Sequence, residues 1–124
     1  MTTALPQVRG RKGEEVAVHY LRSHGYEIVA RNVRFKGGEI DVVAKEKEEL
    51  VFVEVKSRST KTFGWPEEGV TFWKRKRMKL SASLFLSSHR VYQRLPYRFD
   101  IIALEIDASN RKARVVHYKN VEIG

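Results

Sequence analysis

The chain of 124 residues contains no cysteine. That excludes a disulfide framework and any zinc site built on thiolates. It contains no run of 18 or more apolar residues, so no segment reads as a membrane-spanning helix. The opening MTTALPQVRGRKG lacks the apolar stretch of a secretory signal. These absences fit a cytoplasmic protein. Acid is scarce as well: 15 Asp and Glu stand against 24 Lys and Arg, a net charge of +9. A small domain this basic is expected to meet a polyanion, with nucleic acid ahead of an anionic membrane. There is no Gly-rich phosphate loop and no nucleophile elbow. The four histidines, His19, His24, His89 and His117, lack metal-ligand spacing and read as surface or packing residues.

What is present is enough apolar content, 42%, for one core in a chain of single-domain length. Residues 1–8 read as a loose tail and 9–124 as one domain. Ala17, Val18 and Leu21 fall on one side of a helix over Glu14–His24, which Gly25 would stop. Strands are expected at Tyr26–Phe35, Glu39–Ala44 and Leu50–Ser57. Pro66 suits a helix start, and that helix should run to about Ser88. Phe99–Ile106 is apolar on both faces, as in a central strand. Ala113–Tyr118 reads as a last strand at an edge. The order is helix, three strands, helix, two strands, an α/β domain.

The segment FKGGEIDVVAKEKEELVFVEVKS, residues 35–57, carries the chemistry. Alternation puts Val51, Val53 and Val55 on one face of a strand and Phe52, Glu54 and Lys56 on the other. In the preceding strand Ile40, Val42 and Ala44 oppose Glu39, Asp41 and Val43. A tight turn centred on Lys47-Glu48 would set Asp41 opposite Glu54 and Glu39 opposite Lys56, all on one face. Two carboxylates in that relation repel. A divalent cation between them offsets the repulsion, and Mg²⁺ typically takes one or two carboxylates plus waters and phosphate oxygens. A lysine on the same face can neutralise charge or orient a water. The set points to phosphodiester hydrolysis. Glu-x-Lys alone is more often a solvated face with a weak ion pair. Asp inside a Val-rich strand is what distinguishes this one, since Asp is depleted in strands.

These residues resemble the PD-(D/E)XK nuclease superfamily: an acid on the second core strand, then Glu/Asp-x-Lys on the third. Ile40-Asp41 stands where the motif has Pro-Asp. GRKGEEVAVHYLRSHGYEIVARN, GGEIDVVAKEKEELVFVEVKSR, FGWPEEGV and RFDIIAL are together similar to the YraN family of small bacterial proteins, from about residue 10 to the end. A more distant similarity is to archaeal Holliday junction resolvases, which carry a glutamate where Glu14 stands. The resemblance implies a restriction-endonuclease-like core, a central mixed sheet flanked by helices. It implies that Asp41, Glu54 and the Val55 carbonyl hold Mg²⁺ or Mn²⁺, with Glu14 on the metal or its water shell. Lys56 would position or activate the attacking water. Glu39 belongs to the same GEID motif without an assigned role.

Residues 61–99 hold nine Lys and Arg against two Glu, so +7 of the +9 lies there. Lys74, Arg75, Lys76, Arg77 and Lys79 on the second helix are expected to contact phosphates, joined by Arg58 and by Arg11 and Lys12 ahead of the first helix. Trp65, Phe72 and Trp73 are candidates for stacking on unpaired bases. Trp73, aligned with Leu80 and Leu84, reads rather as core, and Trp65 as the exposed one. Glu68 reads as a helix-dipole partner, and Arg98 with Asp100 as a structural ion pair. The expected function is a metal-dependent endonuclease acting on DNA, branched or nicked, with RNA as an alternative substrate. A junction cutter would need two active sites, hence a homodimer. The competing reading is a non-catalytic nucleic-acid-binding module on the same fold.

Overall fold

A computed structural model describes residues 2–4, 11–59, 72–107 and 112–123. Among the described residues the elements in chain order are β1 (Thr2–Ala4), α1 (Arg11–Ser23), β2 (Glu27–Phe35), β3 (Gly38–Glu46), β4 (Glu49–Ser59), α2 (Phe72–Ser88), a 3-10 turn at Arg90–Tyr92, β5 (Tyr97–Asp107) and β6 (Lys112–Tyr118). The six strands form one sheet in the order β1-β6-β5-β4-β3-β2. Only β4 and β5 run parallel; the other pairs are antiparallel. This is the expected α/β core with a mixed sheet, extended by one short strand.

Helix α1 forms where its apolar stripe predicts. Ala17, Val18 and Leu21 are buried against Val42, Ala44, Val51 and Val53. Arg11 and Lys12 belong to its first turn rather than preceding it. The helix stops at Gly25, whose φ of 88° is open to glycine without strain. The Gly25 N–H donates to the Arg22 carbonyl and the Tyr26 N–H to the Leu21 carbonyl, a Schellman closure. Tyr26 then folds back beside Leu21 in the same core cluster.

Helix α2 covers the opposite face of the sheet. Its sheet-facing residues are Met78, Ser81, Ala82 and Phe85. Ala82 and Phe85 pack with Ile40, Val43, Leu50 and Phe52. The alignment of Trp73, Leu80 and Leu84 therefore does not mark the core side: Trp73 is 66% exposed and Leu80 47%. The close approach of strand and helix selects the small residues instead. A Cβ on Gly38 would lie 2.3 Å from Ser81 Oγ and 3.0 Å from the Arg77 carbonyl oxygen. Only glycine lets β3 start that near α2. The expected start of this helix at Pro66, with Trp65 and Glu68, lies outside the described residues.

The β3–β4 register is the one the turn predicts. Val42 pairs Val53, Ala44 pairs Val51 and Glu46 pairs Glu49, about a two-residue turn. Lys47 takes a φ of 54° there, as hairpin turns of the primed types require. Covered on both faces, β4 is buried from Leu50 to Glu54. Its other neighbour, β5, is central as expected. Two expectations fail. β6 is not an edge, because Thr2–Ala4, read from sequence as tail, pairs along its outer side. Ile40 packs on the α2 side, apart from Val42 and Ala44 on the α1 side. Strict alternation breaks between Ile40 and Val42, where β3 parts from β4 and continues beside β2.

Candidate active site

The parting of β3 from β4 creates the site. Their ladder ends at Val42 and Val53. Beyond it β4 continues on β5 as far as Ser59, and β3 follows β2 back to Gly38. The Val55 N–H points into the resulting fork, where no β3 carbonyl is left to accept it. A backbone donor in a protein interior needs a partner. Asp41 Oδ2 supplies one at 2.8 Å. That bond explains why an aspartate sits in a Val-rich strand, and it fixes the carboxylate within the fork.

Glu54 follows Val53 on the other arm and is only 8% exposed. The proximity to Asp41 is costly. Burial first, and the charge of Glu54 second, push the Asp41 carboxyl up to about 6, against the opposing pull of the Val55 N–H. Positive charge comes from α2. Lys74 lies one turn before Met78 on the sheet-facing stripe, so its ammonium is carried to the sheet and pairs with Glu54. Of the residues expected to contact phosphate, Lys74 is thus brought to the acids themselves.

Glu14 enters from the first turn of α1. Its Oε1 is enclosed and has no hydrogen-bond partner. Burial raises its pKa, the charge of Asp41 adds to the rise, and Arg31 and an Asn32 hydrogen bond oppose it. Asn32 and Arg31 carry no signal in a plain strand reading of residues 26–35. The trace that was available is the asparagine itself, a residue that tolerates left-handed backbone, here at φ 50° inside β2. Lys56, half-buried, lies two residues beyond Glu54 on β4.

The expected Glu39–Lys56 pairing lies beyond the β3–β4 ladder, which ends at Val42 and Val53. Glu39 pairs Arg34 across β2 and makes an exposed ion pair with it at 3.6 Å. Among the described residues, no three His, Cys, Asp or Glu side chains are gathered closely enough to hold a metal unaided. Arg75, Lys76, Arg77 and Lys79 occupy the remaining faces of α2. The side chains of Arg11, Lys12 and Arg58 lie outside the described residues.

Arg98 and Asp100 form the structural ion pair that the sequence suggests, within a larger network. Asp100 is fully buried and accepts from Arg98, from the Asn120 N–H at 2.9 Å and from His117 Nε2 at 2.7 Å. Burial alone would raise its pKa, but these partners outweigh it and hold the carboxyl below its usual range. His117 is itself a packing residue, bonded on its other nitrogen to Tyr20 at 3.1 Å.

This geometry meets a match along the sequence. Residues 13–104 fit the family described as uncharacterised protein family UPF0102. The chain belongs to this family, the YraN family. A UPF0102 protein of Caldicellulosiruptor bescii is 43% identical over 106 residues, 86% of this chain and 89% of the relative. One of Clostridioides difficile is 48% identical over 94 residues, 76% and 82% of the two chains. One of Clostridium botulinum is 38% identical over 111 residues, 90% of each. The match spans α1, the fork and α2, so the UPF0102 segment includes every carboxylate of the site.

Proposed function

We propose that this UPF0102 protein is a metal-dependent nuclease of the PD-(D/E)XK type that hydrolyses phosphodiester bonds in DNA. The observation that carries the reading is the fork: two mutually repelling carboxylates, the half-buried Asp41 and the buried Glu54, held between separated strands. Lys74 offsets part of this charge, yet the pKa of Asp41 stays raised and the enclosed Glu14 Oε1 has no hydrogen-bond partner. These donors fit a hard divalent cation, Mg²⁺ or Mn²⁺. Mg²⁺ typically takes one or two carboxylates and completes its shell with water and phosphate oxygens. Asp41, Glu54 and the Val55 carbonyl would hold the ion, with Glu14 on its water shell. When bound, the cation supplies concentrated positive charge at the phosphate and acidifies a water.

The chain's own groups do the rest. The Val55 N–H keeps Asp41 oriented. Lys74 holds Glu54 in place and balances its charge until an ion and a phosphate arrive. Lys56, on the same face of β4 as Glu54, orients the attacking water and offsets charge developing on phosphorus. The exposed cations of α2 draw the phosphate backbone to the fork. In the reaction the water oxygen bonds to phosphorus, the P–O bond to the leaving nucleotide breaks, and the leaving oxygen takes up a proton.

One observation favours the non-catalytic reading, in which the fold serves only to bind nucleic acid: Glu54 is already paired with Lys74. A single assay separates the two. Labelled duplex, single strand, flap, fork and four-way junction are incubated with Mg²⁺, Mn²⁺ or EDTA, using wild type and Asp41→Asn. The nuclease reading expects metal-dependent cutting that falls about 100-fold or more in the variant, the scale of a lost several-kcal/mol interaction. Cutting retained in Asp41→Asn contradicts it, and binding without cutting in every metal supports the binding module.

A further inference from the structure

The outward side of α2 presents a surface that phosphate attraction alone does not explain. Phe72 is 64% exposed and Trp73 66%. Their rings meet edge to face, with centroids 5.4 Å apart. One turn on, Lys76 holds its ammonium 5.2 Å from the Phe72 ring and 5.7 Å from the Trp73 ring. Leu80, 47% exposed, extends the apolar strip along the helix, and Ile123 borders the groove beside it. The groove measures about 570 Å³, and no acidic side chain lines it among the described residues. Helix α2 as a whole carries five Lys and Arg and no Asp or Glu.

We propose that this face binds unpaired nucleotides, a single-stranded segment of nucleic acid laid along α2. The chemistry requires a ligand with planar apolar faces and negative charge at short intervals. Unpaired nucleotides have both. Their bases stack on aromatic rings at about 1–3 kcal/mol each, and their phosphates pair with the flanking cations. A duplex hides its base faces and offers only the charge. An acidic protein segment offers charge without a regular series of planar faces. The position of Lys74 ties the surface to the fork. It follows Trp73 directly yet sits on the opposite, sheet-facing stripe, where it pairs with Glu54. A strand held on the aromatic face therefore leads toward the acids. Taken with the nuclease reading, on which this last step rests, the substrate is one with an unpaired strand beside the scissile bond, such as a flap or fork.

The test is binding without cleavage. Anisotropy of a labelled oligothymidine and of a duplex of equal length is recorded in EDTA. Wild type is compared with a Phe72→Ala/Trp73→Ala double variant and with Asp41→Asn. Both aromatic side chains are exposed, so their removal leaves the core intact. The expected result is tighter binding of the single strand than of the duplex, a loss of about 10–100-fold in the double variant, and no loss in Asp41→Asn. Equal affinity for both ligands, or an unchanged double variant, overturns the proposal. So does a double variant that differs from wild type only in sedimenting as a smaller species, which would make the face a contact between copies of the chain. Failure of the nuclease reading shows instead as absent cutting with this binding pattern preserved.

Discussion

The two ends of the β3–β4 pair each carry opposed carboxylates, and the surroundings treat them in opposite ways. At the turn, Glu46 pairs Glu49. Arg98 reaches across from β5 and donates to both, at 3.2 Å and 2.6 Å, while also gripping Asp100. One guanidinium closes that end. At the fork, Lys74 pairs with Glu54 and also draws on Asp41, yet the Asp41 carboxyl, held by the Val55 N–H, keeps a raised pKa. The turn end is finished by the protein alone. On the proposed reading, a cation from outside completes the fork end. Perturbed, incompletely neutralised carboxylates in a concave position mark functional sites, and strain of this kind is tolerated where activity requires it.

The comparison breaks if the turn end is not structural. Asp100→Asn removes the charge that anchors Arg98 and His117 in the interior, and the loss of one member of a buried pair costs about 3–5 kcal/mol. Thermal unfolding at neutral pH reads this directly, and a change below 1 kcal/mol would remove the contrast. Acid supplies a second reading. Asp100 titrates below its ordinary 3.8 when folded, so its contribution is complete above that value and disappears as pH falls through the folded pKa. Wild type should lose stability in that window while Asp100→Asn loses less. A smaller effect tests how the fork is held against α2. Gly38→Ala places a Cβ onto Ser81 and the Arg77 carbonyl, an overpacking worth about 1–3 kcal/mol. The smallest concerns Glu39→Ala, which removes an exposed pair with Arg34 and should change stability by about 0–1 kcal/mol. A large loss of stability there would assign Glu39 a structural role that its geometry lacks.

Much of this was legible in the residues themselves. The position of Lys47-Glu48 and the Val alternation set the register as far as Val42 and Val53, and Asp41 meets the charge of Glu54 just beyond the end of that ladder. Helix α1, its glycine stop and the central β5 followed from periodicity. The partner of Glu54 did not. Helix α2 has apolar residues on more than one side, and the larger ones, Trp73, Leu80 and Leu84, suggested the wrong stripe. The right stripe is marked by Ser81 and Ala82, of which Ser81 faces the close approach of Gly38, and Lys74 pairs with Glu54 one turn before Met78. The left-handed backbone at Asn32 and the strand at Thr2–Ala4 were hidden for a simpler reason. One depends on a single backbone angle and the other on three residues whose pairing partner is about 110 positions away.

The most direct measurement is the thermal stability of Asp41→Asn against wild type at pH 8 in EDTA. Asparagine keeps an oxygen for the Val55 N–H and removes the buried charge. If the fork is assembled for an external cation, the metal-free variant is more stable than wild type, by about 1–2 kcal/mol after allowance for the partial exposure of Asp41. A variant less stable than wild type by that amount would show that Asp41 serves the fold, and the fork would then be a structural joint like the turn.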